Sequence, residues 1–108
     1  MAVKIVNFPK GTFSSIPYED LQARLEIGVV QFSYVITSDS AAEGRGDLRE
    51  TIGTRNLSMS FIPFDEVPLG VRVPPPHVLT YYDLDRDAWR ACNKFAITNY
   101  SEDIYIET

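Results

Sequence analysis

The sequence is poor in the residue types that most often carry out chemistry. It contains a single cysteine, Cys92, and a single histidine, His77, so it has no internal disulfide and too few sulfur and nitrogen ligands for an ordinary zinc site. A Cys–His nucleophile pair is a further alternative, but no third residue that would orient such a pair is evident. We therefore expect no catalytic residue, no metal and no cofactor, and predict that the protein is not an enzyme.

Positive charge and long apolar runs are also scarce. The chain has 10 Lys and Arg against 15 Asp and Glu, and its net charge of −5 disfavours nucleic-acid binding, which relies on a basic surface. No apolar run approaches the roughly 20 residues of a membrane span. Residues 1–16 lack the apolar block of a signal peptide. We expect a cytoplasmic protein with no membrane partner.

Proline, glycine and aromatic residues are frequent, which favours many short strands in one domain that covers residues 1–108. One helix is predicted at about 17–27, because Pro17 fits a first helical turn and Gly28 fits the position just past a helix end. Its apolar side chains recur at helical spacing, as Tyr18, Leu21 and Leu25.

Alternating apolar residues predict the strands. Residues 29–37 form one strand, and one of its faces carries Val30, Phe32, Tyr34 and Ile36. Residues 47–54 return as its partner, with Leu48 and Ile52 inward. Residues 3–8 add an edge strand, residues 94–100 form a last strand, and the acidic tail 101–108 supplies one more strand or a docking segment.

Residues 78–92 predict a β-hairpin that holds the only tryptophan. We expect a three-residue loop with Asp87 in the left-handed conformation. That register pairs Leu84 with Ala88 and Tyr82 with Arg90, and it places three large side chains together on the other face, Leu79, Tyr81 and Trp89. Aspartates at 83, 85 and 87 imitate a calcium loop, but the loop's required Gly and Glu are missing.

Residues 55–77 are rich in proline yet too apolar for a solvated linker, so we expect them to pack over the sheet. Within them, the segment 61–76 either binds a partner or closes the fold. Phe61 and Phe64 are its candidate contact residues.

The order of these landmarks resembles a known family. Asn56-Leu57, Ile62-Pro63, Pro68-x-Gly70 and Arg72 precede Asp83-Leu84, a charged turn and Ala88-Trp89-Arg90. The chain resembles, over about 29–100, the small WYL-like proteins of tailed phages and some Bacteroidetes, a family of unknown function. It departs from them at Ala91-Cys92, where members usually carry Ser-Phe, and in an enlarged loop at 38–46.

The resemblance implies a mostly β fold, a small SH3-like (Sm-like) barrel with one N-terminal helix, in a phage or bacterial protein. It carries no known catalytic residues. The barrel occupies about residues 29–100, between the helix and the acidic tail.

Two functions follow from these observations. The leading one is a non-enzymatic protein-interaction module, phage-encoded, that binds or modulates a host or phage protein in the bacterial cytoplasm, as in host takeover or anti-defence. The alternative is an Sm-like binder of single-stranded nucleic acid or a nucleotide, with hairpin aromatics stacking on bases and arginines near phosphates. The candidate binding surface comprises Tyr81, Trp89, Arg90, Arg49, Arg72, Phe61 and Phe64.

Overall fold

The computed structural model describes residues 3–37, 46–59, 62 and 73–107. Its elements in chain order are β1 (Val3–Asn7), α1 (Pro17–Ile27), β2 (Val30–Val35), β3 (Leu48–Thr54), β4 (Val78–Asp83), β5 (Ala88–Asn93), a 3₁₀ helix (Lys94–Ala96), β6 (Ile97–Tyr100) and β7 (Asp103–Glu107). The predicted fold class is confirmed, since the domain is small and mostly β, with one α-helix ahead of the main sheet in the described part of the chain.

The main sheet is antiparallel and has the strand order β5-β4-β3-β2-β6. Strands β2 to β5 form a meander and β6 returns to pair with β2, which is the order expected of an SH3-like barrel. Within the described residues β5 and β6 form no hydrogen-bonded ladder. A second sheet joins β1 to β7. The edge strand near residues 3–8 and a strand in the tail were predicted, but their pairing with each other was not.

The core lies on one face of the main sheet, and the predicted apolar face of β2 is buried there. The sheet must curl strongly, because Phe32 of β2 contacts Tyr81 of β4 with ring centroids 4.9 Å apart, although β3 lies between them. Gly53 makes this contact possible. A Cβ at Gly53 would lie 2.7 Å from the Tyr81 ring, so only glycine lets that ring cross β3.

A second apolar cluster covers the opposite, outer face of the sheet. Its buried members are Val29, Met59, Ile62 and Tyr82, and Ile52, Leu84, Trp89 and Tyr105 pack against them. The predicted packing of the proline-rich segment over the sheet is therefore present at its N-terminal end. The rest of that segment, residues 60–61 and 63–72, lies outside the described residues.

Helix α1 has the predicted bounds, and Leu21 and Leu25 are fully buried. Gly28 follows the helix as predicted, but for another reason than a left-handed cap. Its backbone is extended, with φ −167. A Cβ there would lie 2.4 Å from the carbonyl oxygen of Tyr105, so the missing side chain lets β7 approach and bond to Val29.

Two predictions about strand residues are wrong. Leu48 was expected inward but is 57% exposed. It shares the outer face with Ile52, yet it lies about 13 Å further along β3, beyond the side chains that cover Ile52. The last strand begins at Ile97 rather than Lys94, because the Asn93 side chain accepts the N–H of Phe95 at 2.9 Å and starts the 3₁₀ turn.

Candidate binding surfaces

The register of the β4–β5 hairpin differs from the prediction by one residue. Asp83 pairs with Ala88, Tyr82 with Trp89 and Tyr81 with Arg90, so the turn spans residues 84–87 rather than three residues. Asp87 does adopt the predicted left-handed conformation, with φ 53.

The buried carboxylate of Asp83 explains this register. One of its oxygens accepts the backbone N–H groups of Asp85 and Arg86 at 2.9 and 3.2 Å, which starts the turn at Asp83. Its other oxygen pairs with the guanidinium of Arg86 at 3.2 Å and with that of Arg90 at 3.6 Å. Asp83 thus organises the hairpin tip, and nothing in the charge pattern had distinguished it from the exposed aspartates beside it.

The corrected register separates the two aromatic residues predicted to stack on bases. Tyr81 faces the core, is 0% exposed, and its hydroxyl lies 2.7 Å from that of Tyr34. Burial and this hydrogen bond raise the pKa of Tyr81 far above its ordinary value. Trp89 lies half-buried on the outer face, edge-on to Tyr82 at 5.4 Å. A shared stacking face of Tyr81 and Trp89 is therefore wrong.

The structure does bring together the two described arginines of the candidate surface. Arg49 pairs with Tyr34 across β2 and β3, and Arg90 pairs with Tyr81 across β4 and β5, so both belong to the core-facing side of the sheet. They line one pocket of about 530 Å³, which we call the basic pocket. Its walls also include Ile36, Val78, His77 and Cys92.

The basic pocket holds the only Cys and His of the chain, but the thiol lacks the properties of a nucleophile. Cys92 is 8% exposed, and burial raises its pKa to about 12. A reactive cysteine needs the opposite shift, because the thiolate is the nucleophile.

The remaining candidates, Arg72, Phe61 and Phe64, lie outside the described residues. Among the described residues, no group of three or more His, Cys, Asp or Glu side chains is placed to hold a metal ion.

A second concave surface is apolar. It has a volume of about 250 Å³ and is lined by Val3, Val29, Ile52, Met59, Leu84, Tyr105, Ile106 and Glu107. We call it the apolar groove. Arg49 and Ile52 lie on opposite faces of β3, so the groove and the basic pocket are on different sides of the sheet.

A buried polar cluster around α1 was not predicted from the sequence. Asp20 and Arg24 are both 0% exposed and form an ion pair at 3.1 Å. Arg24 also donates to the carbonyl oxygens of Phe8 and Pro9, and its guanidinium lies 5.2 Å from the Phe13 ring. The sequence feature that could have predicted this ion pair is the spacing of Asp20 and Arg24, four residues apart on α1 and next to the buried Leu21 and Leu25.

Tyr100 completes this cluster by donating its hydroxyl to Asp20 at 2.7 Å. Burial by itself would raise the pKa of Asp20, but hydrogen bonds from Tyr100, Gly11 and Arg24 outweigh burial and lower it. Burial and the bond to Asp20 raise the pKa of Tyr100 to about 12. The cluster joins the N-terminal segment, the helix and β6, which makes it a structural element rather than a binding site.

No helix in the described ranges has the length and apolar character needed to cross a membrane. Comparisons of the chain with protein-family models, with curated proteins and with solved structures find no match. The resemblance to the WYL-like family therefore stays a prediction.

Proposed function

We propose that this protein is a non-enzymatic interaction module that binds a segment of another protein in the apolar groove. The groove carries the proposal because its lining is almost wholly apolar and yet open to solvent. Val3, in its wall, is 65% exposed, and Ile5 beside it on the same face of β1 is 56% exposed. Contiguous exposed apolar surface of this kind is typical of an interaction site.

The position of β1 favours an extended partner. On one side β1 bonds to β7, and no strand among the described residues pairs with its other side. An unpaired edge offers backbone N–H and C=O groups to an added strand. A segment added there would place alternate side chains toward the groove.

Charge favours a basic partner. The chain has a net charge of −5, with 15 Asp and Glu against 10 Lys and Arg. Electrostatic complementarity speeds association and suppresses wrong partners. The occupant we propose is an extended segment with alternating apolar side chains and flanking Lys or Arg. Following the resemblance, it belongs to a host or phage protein that the module modulates, as in host takeover or anti-defence.

Selection from a displayed library of random peptides tests this proposal. The wild type should enrich peptides that alternate apolar residues and carry Lys or Arg. Val3→Lys should abolish their binding, because it places a cation in the groove wall. Leu48→Lys is the matched control, since Leu48 is also exposed, at 57%, but does not line the groove.

Two results would contradict the proposal. Equal loss of peptide binding in both variants would show that the groove is not the site. Concentration-dependent dimerisation in sedimentation, abolished by Val3→Lys, would make a second copy of the chain the occupant.

The binding of single-stranded nucleic acid or a nucleotide is the second candidate, and the convergence of Arg49 and Arg90 on one pocket favours it. Trp89 is on the other side of the sheet, and Tyr81 is buried, so neither supplies a base platform beside these arginines. We expect no binding to a random 20-mer of DNA or RNA at about 150 mM salt, where charges are screened beyond about 8 Å. Fluorescence anisotropy measures this binding. A sub-micromolar affinity that falls with salt and is lost in Arg90→Gln would establish this function instead.

A further inference from the structure

We propose that the partner segment pairs antiparallel with β1 and is held through its backbone, so that the partner residues facing the apolar groove are the same residues that bond to β1. The partner is thus an extended segment whose apolar residues, at alternate positions, keep their backbone N–H groups. The pairing rests on the proposed function of the groove and adds the orientation and the register of the partner.

The hydrogen bonds of β7 decide which way the backbone groups of β1 point. In an antiparallel pair, opposite residues alternate between pairs that exchange both of their hydrogen bonds and pairs whose groups point away from each other. Tyr105 of β7 gives both of its bonds to Val29, its N–H at 2.9 Å and its carbonyl oxygen at 2.8 Å. Because Tyr105 lies opposite Ile5, the backbone groups of Ile5 point away from β7, toward the free edge of β1.

Two further contacts agree with this alternation. Phe8 donates its backbone N–H to the carbonyl oxygen of Glu102 at 3.0 Å and continues the register of the ladder, so Phe8 is bonded to the β7 side. Asn7 then belongs to the outward-pointing set. Its side-chain amide donates to Asp103, directly opposite, at 2.8 Å, as expected for the pairs whose side chains approach more closely.

The outward backbone groups and the side chains on the groove face belong to the same residues of β1. Val3 lines the groove, and Ile5 shares its face because alternate residues of a strand project to the same side. Both side chains are exposed. Lys4 projects from the other face, so its charge does not obstruct a strand that covers the groove. The edge therefore offers bonding groups at the positions where apolar contact is also available.

The orientation of the partner determines which of its residues need an N–H group. Antiparallel pairing is the more stable arrangement per residue, and in it the partner residue opposite Ile5 both bonds to Ile5 and projects its side chain to the groove face. In a parallel pair, Ile5 would instead bond to the two neighbours of that residue, which project to the other face. Blocking alternate N–H groups of the partner thus distinguishes the two orientations.

Backbone N-methylation of a peptide tests the pairing. The probe is a fluorescein-labelled synthetic peptide in which valine and threonine alternate between terminal lysines, and fluorescence anisotropy measures its binding to the full chain. The valines should face the apolar groove, so methylation of the valine nitrogens should weaken binding about tenfold or more. The matched peptide, methylated on its threonine nitrogens, should bind within about twofold of the parent. The reverse pattern would mean parallel pairing and would overturn the proposal.

Proline substitutions test the same alternation in the protein. Ile5→Pro removes an N–H that points to solvent, which an edge strand tolerates, so the variant should fold and bind the parent peptide about tenfold more weakly. Ile5→Ala is the matched control, because it loses the side chain but keeps the N–H, and it should lose less affinity than Ile5→Pro. Val6→Pro removes an N–H that bonds to Ile104 of β7 and should unfold the β1–β7 pair.

Hydrogen exchange in the wild type measures the alternation directly and does not depend on any variant folding. Without peptide, the amides of Ile5 and Asn7 should exchange faster than those of Lys4, Val6 and Phe8, and the parent peptide should slow the first two. Equal exchange along β1, or no slowing by a bound peptide, would overturn the pairing.

The outcomes separate this pairing from the function of the groove. If Val3→Lys abolishes peptide binding while Ile5→Pro binds like Ile5→Ala, the groove binds a partner but the backbone pairing is refuted. If the wild type enriches library peptides but does not bind the alternating probe, the pairing again fails alone. If the wild type binds neither, both proposals fail.

Discussion

Replacing Asp20 by Asn should destabilise the fold strongly, because Asp20 is fully buried and paired with Arg24. All partners of this carboxylate are donors: the N–H groups of Gly11 and Phe13, the guanidinium of Arg24 and the hydroxyl of Tyr100. An amide has one acceptor oxygen, and its NH₂ group would face a donor. The change also leaves the buried Arg24 charge without its counter-ion.

The expected cost is about 3–5 kcal/mol of the free energy of unfolding, the range observed when one partner of a buried ion pair is removed. Urea denaturation at neutral pH, followed by tryptophan fluorescence and circular dichroism, measures it. Glu19→Gln is the matched control, because Glu19 is the adjacent carboxylate but is exposed and bonds only to Ser14 among the described residues. That change should stay within about 0.5 kcal/mol.

A double-mutant cycle tests the cause. Arg24→Met keeps an apolar stem between the rings of Phe13 and Tyr100 but removes the charge. With Asp20→Asn it should cost less than the sum of the single changes by about 1–3 kcal/mol. Additive costs, or a cost below about 1 kcal/mol for Asp20→Asn alone, would refute the counter-ion argument.

The pKa of Asp20 adds a pH signature. Because its pKa in the folded state is lowered from 3.8, the ionised form stabilises the native state at neutral pH. This stabilisation is fully present above the unfolded pKa and is lost as pH falls through the folded one. The wild type should therefore lose stability more steeply than Asp20→Asn below about pH 4.

Three further predictions concern the core and the hairpin. Gly53→Ala should cost about 1–3 kcal/mol in urea unfolding, because its methyl group would overlap the Tyr81 ring. Alkaline titration should unfold the protein, because burial raises the pKa of Cys92 from 9.0 to about 12, and burial and the bond to Asp20 raise that of Tyr100 from 10.0 to about 12. The stability they contribute is full below the unfolded values and is lost as pH rises through the folded ones. Trp89→Ala should cost about 2–3 kcal/mol, less than a fully buried aromatic residue, and native tryptophan fluorescence should be intermediate between buried and free indole.

Each of these has a control or a contrary result. Gly46→Ala is the control for Gly53→Ala, because Gly46 has φ 93 and open space around it. It should lower the free energy of unfolding by about 1–2 kcal/mol, through left-handed backbone strain alone. A Gly53→Ala variant as stable as wild type would mean that Tyr81 does not cross β3. Rapid alkylation of Cys92 at neutral pH without unfolding would contradict its burial. A red-shifted, freely quenched Trp89 would place it in solvent.

Local pattern was enough to predict part of this protein. The bounds of α1 follow from Pro17 and from leucines at helical spacing, and the buried face of β2 follows from strict alternation. The left-handed Asp87 follows from the chemistry of a charged turn. These features are encoded within a few consecutive residues, and no distant contact overrides them.

Tertiary structure decided the rest. The hairpin register depends on where the buried carboxylate of Asp83 begins the turn, and a shift of one residue moved Trp89 to the other face. Arg49 and Arg90 line one pocket although they lie on two strands that are not neighbours, β3 and β5. The sequence by itself determined which segments become helix or strand, because that choice rests on local periodicity. Which polar side chains are buried, and which surfaces remain open, depends on contacts between residues far apart in the chain, so only the folded structure decided them.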